Sequence, residues 1–150
     1  MSNTQPALPH TPDAVIRSWF EELWNQKRED TIDRLFAVDG VAHGLPTPDG
    51  APIRGRDAFR PFFRAFRDAF PNIRVEVTQT VSEGEMVTAL CHVTGTHEGH
   101  HLGMAGTGRP IDFWGMCMAR VRDGYIVDGW NTFDFLTLYQ QIGMLPQLPS

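Results

Sequence analysis

The sequence holds only two cysteines, Cys91 and Cys117, among its 150 residues. Both fall in apolar, strand-like surroundings, so they read as buried thiols of a reducing cytoplasm and not as a disulfide framework. No apolar run approaches the ~20 residues that cross a bilayer. The first residues lack the basic start and apolar centre of a signal peptide. Basic residues form no cluster and the formal net charge is −5, so nucleic-acid binding has no electrostatic footprint. Equally missing are a phosphate-cradling glycine loop opening a helix, a Gly-x-Ser-x-Gly elbow and a dinucleotide fingerprint. These absences leave an ordinary soluble domain without the signatures of nucleic-acid binding, nucleotide binding or serine-hydrolase chemistry.

The composition, with 41% hydrophobic and 21% charged residues, is that of one ordinary globular domain with a sizeable core. Residues 1–11 are rich in proline and small polar residues and read as a flexible tail; residues 12–150 form the domain. Thr11 is a natural N-cap with Pro12 at the first helical position. Val15, Trp19 and Leu23, with Phe20 and Trp24 one step off, predict an amphipathic helix over 12–27. Such an aromatic stripe serves as core, or as the roof of a pocket. A short helix near 30–36 leads to a brief strand, 41–45, containing His43, which is either a hydrogen-bonded core or edge histidine or a pocket group. Gly55 precedes a helix over 56–69 whose Phe59, Phe62, Phe63, Phe66 and Phe70 make one broad apolar face. Arg56, Arg60, Arg64 and Arg67 fall mostly on its solvated side. Strands 73–81 and 86–94 hairpin at Glu83-Gly84, in either of two registers.

The stretch from Gly95 to Asp134 organises the rest. A histidine-bearing glycine loop is followed by two strands joined at Asp123-Gly124, a strong hairpin signal. Counting outward from a two-residue turn puts Cys117 opposite Trp130, Gly115 opposite Thr132 and Phe113 opposite Asp134. On that register Trp130, Thr132 and Asp134 share a face with Phe113, Gly115 and Cys117. This face would be a cavity wall carrying one carboxylate. The opposite face would present Trp114, Met116, Met118, Val127 and Phe133 among Asp112, Arg120 and Asn131. So large an apolar patch predicts a homodimer.

His97, His100 and His101 crowd together, but neighbours in a glycine loop do not share a face as helical i, i+4 histidines do. No recognised zinc spacing accompanies them, and no metal is expected. Cys117 on an apolar strand is a poor nucleophile, because burial raises a thiol pKa. Acid–base chemistry by carboxylate and imidazole remains. Asp134 is a natural N-cap for a closing helix, 134–142; in an apolar cavity it would instead have a raised pKa suited to proton transfer.

Gly95-Thr96-His97-Glu98-Gly99, then Gly103 and Thr107-Gly108-Arg109, resembles a segment of the SnoaL-like polyketide cyclases (ester cyclases). Arg120-Val121-Arg122-Asp123-Gly124-Tyr125-Ile126, Trp130…Asp134 and Gln140-Gln141-Ile142-Gly143 are similar to that family's tail. Ala105-Gly106 and Tyr125 depart from its usual residues. The resemblance implies an α+β fold of the nuclear transport factor 2-like type: a cone-shaped, curved antiparallel sheet with N-terminal helices packed on its concave face. It also implies a dimeric habit and no cofactor. The reaction it implies is acid–base chemistry, an aldol-type cyclisation or related C–H deprotonation of a hydrophobic, carbonyl-bearing small molecule. Asp134 would then be the acid–base group, and His97 a substrate-orienting or loop-fixing residue. His43, Trp19, Phe63, Phe113, Cys117 and Trp130 would line the substrate site. An isomerase, an epoxide hydrolase and a non-catalytic ligand-binding module are the alternatives on the same fold.

Overall fold

A computed structural model describes residues 10–100 and 104–145. The first helix starts where the capping signal stands: the Thr11 hydroxyl accepts from Ala14 N–H, and Pro12–Ser18 (α1) follows. The helix continues without a break as a π-helical segment, Trp19–Asn25. Trp19, Phe20, Leu23 and Trp24 are all buried there, two adjacent i, i+4 pairs that together make one broad apolar face. A short helix, Thr31–Leu35 (α2), runs straight into Phe36–His43 (β1), so that strand begins earlier than its sequence pattern suggested. Ile53–Arg54 (β2) and Arg56–Ala69 (α3) follow, then Arg74–Glu83 (β3), Met86–Thr96 (β4), Pro110–Arg122 (β5), Tyr125–Phe133 (β6) and Phe135–Gln141 (α4). No helix among the described residues is long and apolar enough to cross a membrane. Of the sequence-level features, the greater part of the 1–11 tail and both His101 and Gly103 lie outside the described residues.

The strands form one curved six-stranded sheet in the order β2-β1-β6-β5-β4-β3. Every pairing is antiparallel except β1 with β6, which is parallel and sets His43 beside Trp130. The β3–β4 hairpin closes with Glu83 opposite Met86, and an irregularity between Val77 and Gln79 brings Val77 opposite Cys91. That shift puts Val75 and Val77 on the face of Cys91 and Val93.

Two side-chain amides imitate strand pairing. Asn25, at the end of the π segment, gives its Nδ2 to Val75 O (2.9 Å) and takes Val75 N–H on its Oδ1 (2.7 Å). This pairs Val75 on the open edge of β3. Gln141 does the same to Asp112, accepting its N–H at 2.9 Å and donating to its carbonyl at 2.8 Å. The closing helix is thus tied to β5 at the residue where the strand emerges. The arginines of α3 do more than meet solvent. Arg64 forms a fork with Glu29 at 2.7 Å on both arms, Arg60 pairs with Asp33, and Arg56 donates to Phe36 O at 2.7 Å. The helix is thereby clamped to α2 and β1 along its outer flank.

Candidate functional site

The helices and α4 cover the concave face of the sheet, and between them lies a cavity in which the centre of a water molecule could range over about 80 Å³. Trp19, Phe20 and Trp24 roof it from the π segment; Phe59, Phe62 and Phe66 enter from α3. Phe113, Cys117, Asn131 and Phe133 form the floor, and Phe135 of α4 closes one end. Edge-to-face and tilted contacts hold these rings, with Phe135 within 6.4 Å of Phe66, Phe113 and Phe133. Among the described residues no carboxylate, imidazole or hydroxyl lines this wall, and Asn131 supplies its only side-chain oxygen. The other lining residues whose side chains carry a polar atom are Trp19, Trp24 and Cys117. Burial pushes the thiols of Cys91 and Cys117 up to about 12, so both are protonated and unreactive near neutrality.

Trp19, Phe113 and Cys117 line this cavity. Phe63 does not. It is fully buried behind the wall, packed edge-on against Trp24 with centroids 5.1 Å apart. Trp130 and Asp134 are also displaced, for one shared reason. The β5–β6 ladder starts as expected, with Arg122 opposite Tyr125 and Val121 opposite Ile126, but then skips Val127 so that Arg120 faces Asp128. Side chains beyond this bulge swap faces. Cys117 lies opposite Asn131, Gly115 opposite Phe133, and Met118 opposite Trp130. Asn131 and Phe133 are turned in, and Trp130 and Thr132 are turned out. The physical reason is Asp128: the unbulged register would drive its carboxylate into the apolar cone, at a large desolvation cost. The bulge turns it out instead, to within 4.0 Å of Arg120 and 3.4 Å of His43.

Asp134 is exposed and caps α4, accepting from Thr137 N–H at 3.0 Å and Thr137 Oγ1 at 2.6 Å. The Thr137 hydroxyl, then its N–H, hold the carboxyl below its ordinary range. That direction is opposite to the raised pKa expected of a cavity acid. His97 is fully buried but stands against Phe70, not in the cavity wall. Its Nδ1 accepts from Thr107 N–H at 3.3 Å and lies 3.0 Å from Thr107 Oγ1. His43 lies on the convex side of the sheet, stacked on Trp130 at 5.4 Å and 6°. Only its carbonyl serves the cavity, accepting from Asn131 Nδ2 at 2.9 Å.

The model of the SnoaL-like polyketide cyclases matches residues 14–142. This chain belongs to that family. Among solved structures it is similar to IdmH from Streptomyces antibioticus, a proposed polyketide cyclase. The two are 32% identical over 89% of this chain and 99% of that one, with a TM-score of 0.76. A proposed SnoaL-like polyketide cyclase from Jannaschia sp. CCS1 is 18% identical over 97% and 100% of the two chains, with a TM-score of 0.80. AclR from Streptomyces galilaeus, a proposed hydroxylase, is 23% identical over 93% and 85%, with a TM-score of 0.78. The last two carry the fold alone, which is the nuclear transport factor 2-like curved sheet. A comparison with curated proteins gives no match.

In this SnoaL-like chain several motif residues make contacts that hold the loop and the closing helix in place. Glu98 and Gly99 donate their N–H groups to Ala69 O at 3.0 and 3.2 Å, which docks the loop on the end of α3. A Cβ at Gly99 would lie 1.8 Å from Asp68 O, so no other residue allows that approach. Gln141 is the strand-pairing amide described above. Sequence reasoning missed Asn131 as a cavity residue. The signal that could have found it was Asp128, whose charge argues against the unbulged register.

Proposed function

We propose that this protein takes a hydrophobic, carbonyl-bearing small molecule into the aromatic cone and folds it for ring closure, without a cofactor. The single observation behind this reading is the composition of the described wall: rings and aliphatic groups from every layer of the fold, interrupted by one amide and one thiol. Such a wall supplies shape and excludes water, and holding two reacting carbons of one molecule in contact removes most of the entropic barrier to their joining. An aldol closure is proton-neutral overall, since the proton leaving carbon ends on the new alkoxide. It therefore needs a relay between substrate oxygens more than a net acid or base. With Asp134 engaged in capping and His97 in fixing its loop, we assign neither to the proton transfer.

Membership of the SnoaL-like family supports a cyclase-type role. A second reading, a non-catalytic carrier of the same kind of molecule, is favoured by the absence of an acid–base side chain from the described wall. The isomerase and epoxide-hydrolase alternatives find no support. Tyr125 is exposed in the hairpin and Tyr139 packs on Phe135, while Asp112 and Arg120 face away from the cavity. Mass spectrometry of the molecule that copurifies in the cone, before and after incubation with an acyclic precursor of that molecule, tests the proposal. A ring-closed product released with turnover supports the cyclase; a ligand retained unchanged supports the carrier; an empty protein that binds no apolar ligand counts against both.

We also propose a homodimer through the convex face. Trp114, Met116 and Met118 are exposed there on alternate positions of β5. Two indole–imidazole stacks, His92 on Trp114 at 4.4 Å and His43 on Trp130 at 5.4 Å, flank the methionines and enlarge the patch. Compared with the sequence-level patch, Phe133 and Asn131 leave this face and Trp130 and Thr132 join it.

A further inference from the structure

We infer that the ligand of this cone is a neutral, largely hydrocarbon molecule carrying a hydroxyl or enol group, and that Asn131 selects it by accepting the hydrogen bond of that group. The inference rests on the cavity reading above and specifies the ligand's polarity.

Three observations carry it. The first is the orientation of the amide. A backbone carbonyl only accepts, so the Asn131 atom 2.9 Å from His43 O is the nitrogen. Oδ1 is the atom left over, and among the described residues no group donates to it. The second is the lack of competition. Asn131 Oδ1 is the only side-chain oxygen in the described wall, and neighbours such as Phe133, Cys117 and Ala119 offer none. Elsewhere in the described wall the only side chains with a polar atom are Trp19, Trp24 and Cys117, and none of them carries an oxygen. The third is charge. Among the described residues no Lys, Arg or His lines the cavity to receive an anion, and no Asp or Glu to receive a cation. A carboxylate would be desolvated without a counter-charge and would face the lone pairs of Oδ1. An O–H donor satisfies Oδ1, and its own oxygen can take the second N–H of the same amide.

Four probes of one shape test this on the intact protein by equilibrium dialysis at pH 7: naphthalene, 1-naphthol, 1-methoxynaphthalene and 1-naphthoate. The naphthol is expected to bind about tenfold more tightly than naphthalene, the scale of one net hydrogen bond. The methyl ether keeps the oxygen but cannot donate, so it should fall back to the naphthalene affinity, and the ionised naphthoate should not bind. Asn131→Leu should lose the preference for naphthol over naphthalene. An ether as tight as the naphthol, a bound naphthoate, or a naphthol preference that survives in Asn131→Leu would each overturn the assignment. If that variant does not fold, the ranking of the four probes on the native protein decides alone. Naphthalene bound without any hydroxyl preference overturns this inference and leaves the cavity reading standing; no binding of any probe overturns both.

Discussion

Cys117 lies directly opposite Asn131 in the ladder between β5 and β6, and both side chains face the cavity. The pairing exists because Val127 is left out of register, which turns Asp128 toward Arg120 and His43 on the convex side. One misplaced residue in a strand thus decides whether the cone carries an amide or an indole at this depth. It also fixes which residues a mutational test of the site should touch.

Gly115 faces Phe133, and a Cβ there would stand 2.2 Å from the ring and 2.7 Å from the Phe133 Cα. Part of that clash is with backbone, so a rotamer change cannot relieve it. Gly115→Ala is expected to cost about 1–3 kcal/mol, the usual range for overpacking, read as a lowered urea midpoint. Because Phe133 lines the cavity, affinity for apolar ligands should change as well. Unaltered stability would show that β6 can shift away freely.

Asp134→Ala removes the acceptor of both Thr137 bonds and is expected to cost about 1 kcal/mol, as for other N-caps. Asp134→Asn should cost only a few tenths, and neither change should alter ligand affinity or turnover. The carboxyl is held below its ordinary range. Its stabilising contribution is therefore present above the unfolded pKa, about 3.9, and is lost as pH falls through the lower folded value. Acid melts of the native protein and Asp134→Asn should converge in that window. A turnover loss of a hundredfold or more in a stable Asp134→Asn protein would reinstate the carboxylate as the acid–base group.

Both thiols are raised to about 12 by burial. A raised acid is favoured in the folded state while protonated, so its contribution is intact below the unfolded pKa of about 8.5 and is lost as pH rises towards the folded value. Stability should decline between about pH 8.5 and 12, and less steeply in a Cys91→Ala, Cys117→Ala double variant. At pH 8 a thiol reagent should label neither cysteine until urea unfolds the chain. Rapid native-state labelling of Cys117 would mean that the cavity floor is open to water.

Met118→Glu puts a charge at the centre of the convex apolar face, opposite Trp130 and away from the cavity. If that face joins two copies, light scattering should show a dimer for the native protein and a monomer for the variant, with folding and ligand affinity retained. A native protein that is monomeric at micromolar concentration would refute the dimer.

The sequence by itself determined the elements and the family. Thr11-Pro12, Gly55, Pro71 and Asp123-Gly124 punctuate the chain by local chemistry, and the regular spacing of the phenylalanines commits α3 to one buried face. These signals act within a few residues, so they are legible without neighbours. The same holds for Trp19, Phe113 and Cys117, whose element and face agree with the hydrophobic pattern. The tertiary structure alone decided the rest. The bulge at Val127 arises from the cost of burying Asp128 against a wall built from distant segments, and it moved Trp130 out and Asn131 in. The parallel pairing of β1 with β6 is a contact between segments far apart in the chain, and it carried His43 to the convex face. His97 and Asp134 fit their local motifs either as structural or as chemical residues. Only the positions of Thr107, Phe70 and Thr137 around them show which bonds they make, because a side chain's role depends on partners that its own segment does not supply.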